Sequence, residues 1–190
     1  PHGDTKVLFF GTYIPLQGIR YIIEAAKLLK DEPIDFLLVG DGQEKKKMEA
    51  LVMDSKLSRV KMTGNISEEL LRKEAERADI CLGIFGDTEK TLRVIPNKIM
   101  VALSMRLPVI TSDTVAIREL FSDDHLLLVS PHDAKQLASA ILELSQDSSH
   151  RKRIAESGYK IFMECATPVV LGRMFRDLLC KVLEEYKRTS

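Results

Sequence analysis

The chain has 190 residues, 45% hydrophobic and 29% charged, the composition of an ordinary globular protein long enough to bury a core as one domain. Lysine plus arginine equals aspartate plus glutamate at 28 each, so no global field draws in nucleic acid or an anionic membrane, and any anion binding must be local. No apolar run approaches the roughly 20 residues that span a bilayer, and no charged-then-apolar leader is present, so the expectation is a soluble, cytoplasmic chain.

The chain opens Pro1-His2-Gly3 rather than with Met and enters a core strand almost at once, which predicts a segment upstream. Lys6-Val-Leu-Phe-Phe-Gly11 is a short apolar run ending in glycine and reads as a strand buried on both faces. After the loop Gly11 to Gly18, Ile19, Ile22, Ile23, Ala26 and Leu29 recur at helical spacing, with Arg20, Glu24, Lys27 and Lys30 on the other faces. Gly11 and Gly18 could let the backbone approach a phosphate, but they do not form GxGxxG, and turn chemistry alone also explains them.

The pattern repeats. Asp35 to Gly40 is a strand, Asp41-Gly42 a turn, and about Gln43 to Lys56 a helix whose Lys45-Lys46-Lys47 reads as a solvated face. Arg59 to Gly64 is a third strand. Ser67 then has the place of an N-cap, with Glu68 and Glu69 in the first turn where the helix dipole favours them. Three consecutive strands ending in glycine before a helix predict an α/β, doubly wound parallel sheet with the glycines along one rim.

Residues 79 to 111 read as a buried strand, a polar loop, a helix opening near Pro96, and a second buried strand from Pro108. This βαβ unit puts its loop at the carboxyl end of a strand, where open parallel sheets hold ligands. Pro96 suits a first helical turn, because it has no N–H to leave unsatisfied and its φ is preset. The N–H groups of Asn97, Lys98 and Ile99 are then free to face an anion, and Lys98 adds a mobile positive charge. The alternative is a capped surface helix with a solvated lysine.

Ser112-Asp113-Thr114 should begin a helix running through Ile117 and Leu120, and His125 to Val129 is a sixth strand. A turn at Ser130 to Asp133 leads into a helix with Asp133 near its cap and Leu137, Ile141 and Leu144 inside. His125 and His132 have no partner at metal spacing and read as loop residues. A helix from Ser148 to about Cys165 is expected to break at or just after Gly158, and Pro168 restarts it. Residues 167–188 are then a terminal amphipathic helix with Leu171, Phe175, Leu178, Leu179, Val182 and Tyr186 as its apolar stripe, packed on its own domain or serving a missing neighbour. Cys81, Cys165 and Cys180 are odd in number and widely spaced, which argues for buried thiols in a reducing compartment.

Assembled in order, Gly11 to Gly18, Leu-Val-Gly40-Asp-Gly42, Val60-Lys-Met-Thr-Gly64, Ala78-Asp79-Ile-Cys-Leu-Gly83, Ile95-Pro-Asn-Lys98, Ala102 to Thr111, Ile117-Arg-Glu119 and Val129 to Asp133 resemble one family. The chain is similar, over about residues 6 to 186, to the carboxyl-terminal donor-binding domain of the GT-B glycosyltransferases, family four (group 1). The resemblance implies a Rossmann-like sheet of about six strands with helices on both faces, one domain over residues 1–190, forming the carboxyl-terminal half of a GT-B fold. It also implies transfer of a sugar from a nucleoside-diphosphate sugar to an acceptor hydroxyl with retention, without cofactor or essential metal. An amino-terminal acceptor domain would be absent, and any membrane contact would belong to that missing half. Alone, the domain would be inactive.

Carried over by position, the Gly11 to Gly18 loop would face the diphosphate, with Gly40, Asp41 and Gly64 along the same rim and Pro96, Asn97 and Lys98 at the helix start. Thr12 and Gln17 stand where the family often has arginine and lysine, so two positive charges are missing, which Lys98 offsets in part and Arg93 would if its loop folds inward. The family's paired glutamates, with seven residues between them, match Arg93 and Val101, neither of which accepts a hydroxyl hydrogen bond. Each buried sugar hydroxyl left unpaired would cost roughly 1 to 3 kcal/mol. Arg106 stands where a helix-ending glycine is usual and would be strained if left-handed. Glu119 is retained in a loop position near the base or ribose, or simply on the surface. No residue is assigned a catalytic role. A non-catalytic scaffold for interaction and a nucleotide-sugar epimerase half are the alternatives; a receiver or flavodoxin-like module fits less well, since Thr12 and Tyr13 stand where a receiver wants acidic residues.

Overall fold

Six parallel strands form one sheet in the order β3-β2-β1-β4-β5-β6: β1 Thr5–Phe10, β2 Ile34–Val39, β3 Val60–Thr63, β4 Ile80–Leu82, β5 Val109–Ser112 and β6 Leu127–Val129. The computed structural model describes residues 4–189; Pro1, His2 and Gly3, from which an upstream segment was expected, and Ser190 lie outside the described residues. Strand order reverses between β1 and β4, which opens a crevice at the carboxyl rim where α/β sheets receive ligands.

Both faces of the sheet are covered, which is why its strands read as continuous apolar runs. Val7, Phe9, Phe36, Leu38, Ile80, Leu82 and Ile110 face α1 (Ile19–Leu28), α2 (Lys45–Asp54) and α6 (Ala134–Gln146). Leu8, Val39, Cys81 and Val109 face α3 (Glu68–Glu76), α4 (Asn97–Ser104), α5 (Val115–Arg118) and α7 (Ser148–Cys165). Four helices start at polar caps: Ser67, Thr114, Asp133 and Asp147 each accept a hydrogen bond from a first-turn N–H, including both Lys135 and Gln136 at Asp133.

Register aligns the strand tips. Phe10 lies opposite Val39, and Val39 opposite Thr63, so Gly11, Gly40 and Gly64 do stand along one rim. Gly40 passes so close to the Gly11 carbonyl that no side chain fits there.

Several local expectations are corrected. Helix α7 runs unbroken through Gly158, where the missing side chain admits Leu103: a Cβ would lie 2.6 Å from its Cδ2 and 2.9 Å from the His125 carbonyl oxygen. Helix α5 stops at Arg118 rather than Leu120, and the sixth strand starts at Leu127, with His125 in the preceding turn. Of the three cysteines only Cys81 is buried, while Cys180 is exposed. Lys45 is not simply solvated, because it pairs with Asp41 at 3.1 Å.

The terminal helix α8 (Pro168–Thr189) forms as expected, and of the two alternatives for its stripe the structure does not bear out packing on its own domain. Its apolar stripe does not pack on the domain: Phe175 is 62% and Tyr186 69% exposed, and Leu171, Leu178, Leu179 and Val182 are also exposed. No described helix is long and apolar enough to cross a membrane.

Candidate functional site

Three rim loops are tied together by main-chain hydrogen bonds. Gly11 N–H donates to Val39, Tyr13 N–H to Asp41, and Glu44 N–H to Tyr13, joining the loops after β1 and β2. Phe85 N–H donates to Gln17 and Gly86 N–H to Leu16, joining the β1 loop to the loop after β4. Gly18, left-handed at φ 67, lies directly against the Phe85–Gly86 backbone. Tyr13 is the buried pin of this assembly. Its hydroxyl donates to the Leu38 carbonyl at 2.8 Å, and burial, then the charges of Glu49 and Asp41, raises its pKa. The rim is therefore fixed before any ligand arrives.

Helix α4 points its amino end at this rim. Pro96 is the N-cap, in extended geometry, rather than the first helical residue. Contrary to the expectation from sequence, Ile99 N–H donates to the Pro96 carbonyl and is not open to an anion. Among the described residues no acceptor takes the N–H of Asn97 or Lys98.

The side chain of Lys98 is not mobile. It is buried, with its ammonium 3.7 Å from the centre of the Phe9 ring and 2.5 Å from Gln17 Oε1. A Cβ on Gly11 would lie 2.8 Å from Lys98 Nζ and would displace it, and the φ of 152 itself favours glycine there. Burial pushes the ammonium pKa down to about 7, with the nearby Cys81 opposing this. Burial pushes the Cys81 thiol up to about 12, which makes it an inert core group. Among the described residues no carboxylate pairs with Lys98.

The structure thus brings Gly11, Gln17 and Lys98 into one cluster, next to Gly18. Asp41, Lys45 and Gly64 form a second, with the Lys45 ammonium 3.5 Å from where a Gly64 side chain would begin. The Lys45 hydrogen bond, then the Gly42 N–H, holds the Asp41 carboxyl below its ordinary pKa. Thr12 is exposed beside Gly11. Arg93 does not fold inward. The 3-10 turn Glu89–Arg93, capped by Thr88, carries it outward to Glu89 at 3.4 Å, with 75% of its side chain exposed. Val101 is 43% exposed on α4, and Glu119 lies exposed at the carboxyl end of α5. Arg106 is left-handed at φ 56 and closes α4 in a Schellman motif, through Leu107 N–H to Ala102 and Arg106 N–H to Leu103. Its guanidinium reaches both Glu156 oxygens at 2.6 Å and stacks 4.0 Å over Tyr159.

Phe9 was not singled out from the sequence. The alternation of β1 contained the signal, since the residue two before Gly11 lies at the strand tip. Ser112, at the tip of β5, was also passed over; its hydroxyl is buried without a partner. A cavity of about 330 Å³ lies away from this rim, between α3 and the sheet. Its guanidinium, Arg59, is already held by Asp4 and Asp35, and its lysines, Lys6 and Lys61, are exposed rather than buried as Lys98 is.

A family profile described as Glycosyl transferases group 1 matches residues 4–147. The amylovoran biosynthesis glycosyltransferase AmsK of Erwinia amylovora is 28% identical in an alignment that covers 76% of this chain and 37% of that protein. An uncharacterized glycosyltransferase of Methanocaldococcus jannaschii, MJ1178, is 27% identical over 80% of this chain and 41% of its own length. The chain therefore spans about two fifths of these relatives. Among solved structures, Anabaena Alr3699/HepE in complex with UDP superposes with a TM-score of 0.84 at 19% identity, over 94% of this chain and 49% of that one.

Proposed function

This chain belongs to the group 1 glycosyl transferases, and on that footing we propose that it is the half that holds the donor, a nucleoside-diphosphate sugar. The sugar passes from that donor to an acceptor hydroxyl, with retention at the anomeric carbon. The observation that carries the reading is Lys98: a buried ammonium that no carboxylate among the described residues pairs with, at the tip of β1, in the first turn of a helix whose first two amides have no acceptor among the described residues. As the bond to the sugar breaks, negative charge grows on the diphosphate. Fixed N–H dipoles and one ammonium in a site shielded from water stabilise that charge without having to reorganise.

The rim loops supply the close backbone approach, with Gly11 and Gly18 in the β1 loop and Gly40, Asp41 and Gly64 beside it. That the Anabaena structure of the same fold contains UDP supports a nucleoside diphosphate as the class of ligand. On this reading the acceptor site and any membrane contact lie in the share of the relatives' length that this chain does not span, and the chain alone is inactive. A cytoplasmic setting belongs to the same reading, supported by three unpaired thiols.

A second reading, a scaffold that keeps the fold without the chemistry, is favoured by Val101 and by the outward Arg93, which leave sugar hydroxyls without acceptors. Calorimetric titration with uridine, guanosine and adenosine diphosphates separates the two. Binding of one of them, lost in Lys98→Met, supports the donor site. Absence of heat with all three at millimolar concentration favours the scaffold.

A further inference from the structure

The Lys98 ammonium is gripped from three sides. Phe9 lies beneath it, Gln17 faces it across the crevice, and Gly11 stands alongside. The groups that face it are the Phe9 and Phe10 rings from β1, the Cys81 thiol from β4 and the Gln17 amide from the β1 loop. None of these carries a negative charge at neutral pH. An ammonium can only donate, so the amide oxygen of Gln17 is what faces it, and among these groups it alone makes a direct hydrogen bond that rewards the charged form.

We propose that Gln17 is a positioning residue for Lys98: its amide oxygen aims the ammonium at the strand tip and keeps it charged there. Gln17 is then not itself the contact to the anion. Position 17 is neutral because position 98 is cationic, and two ammonium groups at hydrogen-bond distance in a buried site cannot both remain charged. The missing lysine of the β1 loop has in effect moved to the start of α4. The anion's identity as a donor diphosphate rests on the function proposed above, but the coupling of the two side chains is a property of the free protein.

The test is carbon-13 NMR of the lysine Cε signals across a pH titration of the full chain. The Lys98 signal is identified by its absence in Lys98→Met. In the wild type it should titrate near neutral pH. Gln17→Leu should lower its midpoint by about one pH unit, the size expected for losing a hydrogen bond to a charged group, and Gln17→Glu should raise it. Thermal melts of each variant establish that it is folded. Identical midpoints in wild type, Gln17→Leu and Gln17→Glu would overturn the proposal.

Inorganic pyrophosphate, added to the same samples, separates this proposal from the donor reading. If the Gln17 variants move the midpoint of the free protein but pyrophosphate leaves it unmoved, the positioning role stands and the donor reading fails. If pyrophosphate raises the midpoint equally in wild type and Gln17→Leu, starting from the same free value, the donor reading stands and the positioning role is overturned.

Discussion

Replacing Lys98 with methionine keeps the length of the side chain and removes its charge, and the cost of that charge can be worked from its surroundings. Burial moves the ammonium from the 10.5 ordinary for lysine to about 7. A base with a lower pKa in the folded state than in the unfolded state is held neutral by folding. Between those two values the unfolded chain binds the extra proton, so stability climbs with pH across that window. Below it the full penalty is present, on the order of 5 kcal/mol at about 1.4 kcal/mol per pH unit. Between about pH 6 and about pH 9 the wild type should recover about 3 kcal/mol of stability that Lys98→Met never lost.

Urea unfolding of both proteins at about pH 6 and about pH 9 measures this, since every other titrating group is common to the two. The offset at any one pH also contains the lost contact with Phe9 and the hydrogen bond to Gln17, but the change in the offset with pH isolates the charge. The methionine variant should be favoured most at the acidic end, with its advantage shrinking as pH rises. An offset that stays constant across the range would mean that the ammonium is solvated, and the argument for a buried anion-seeking charge would fail with it.

Arg106 sits left-handed at φ 56, a strain that glycine would not feel, and its exposed pair with Glu156 and its stacking on Tyr159 offset that strain. Arg106→Gly should therefore change urea stability little, and in a Glu156→Gln, Tyr159→Leu background, where both contacts are gone, it should stabilise; a clear loss in that background would contradict the strain. Gly18→Ala forces a Cβ into the Phe85–Gly86 backbone at φ 67 and should lower the melting temperature by at least about 5 °C, whereas an unchanged melt would show that the rim loops are not interlocked. Under native conditions a thiol reagent should modify Cys180 at once and Cys81 only on unfolding, as read by the number of fast-reacting thiols. Deleting residues 168–190 should leave the melting temperature within about 3 °C of the full chain, because the stripe of α8 buries little against the domain.

Strands ending in Gly11, Gly40 and Gly64, polar caps at Ser67 and Asp133, and the apolar faces of α1 and α6 were all legible, because alternation, helical spacing and cap chemistry act over a few neighbouring residues. The left-handed turn at Arg106 was expected only from the family resemblance, which puts a helix-ending glycine at that position, and the structure has Arg106 at φ 56 there. Gly158 misled, because a glycine that breaks an isolated helix is harmless where another element fills the space it leaves.

Lys98 shows where reading along the chain stops. Sequence placed it in the first turn of a helix facing a strand tip, and that position holds. Its burial came from packing against Phe9, on β1, and Gln17, 81 residues away, and it is that desolvation that lowers its pKa. Arg93 and α8 make the same point from the solvent side, since nothing in their own residues says whether a neighbour will cover them. The linear order determined the layered fold, the glycine rim and the helix start, all of which follow from local stereochemistry. Only the folded arrangement decided which charges lose their water, because desolvation depends on what long-range packing brings within a few ångströms of a group.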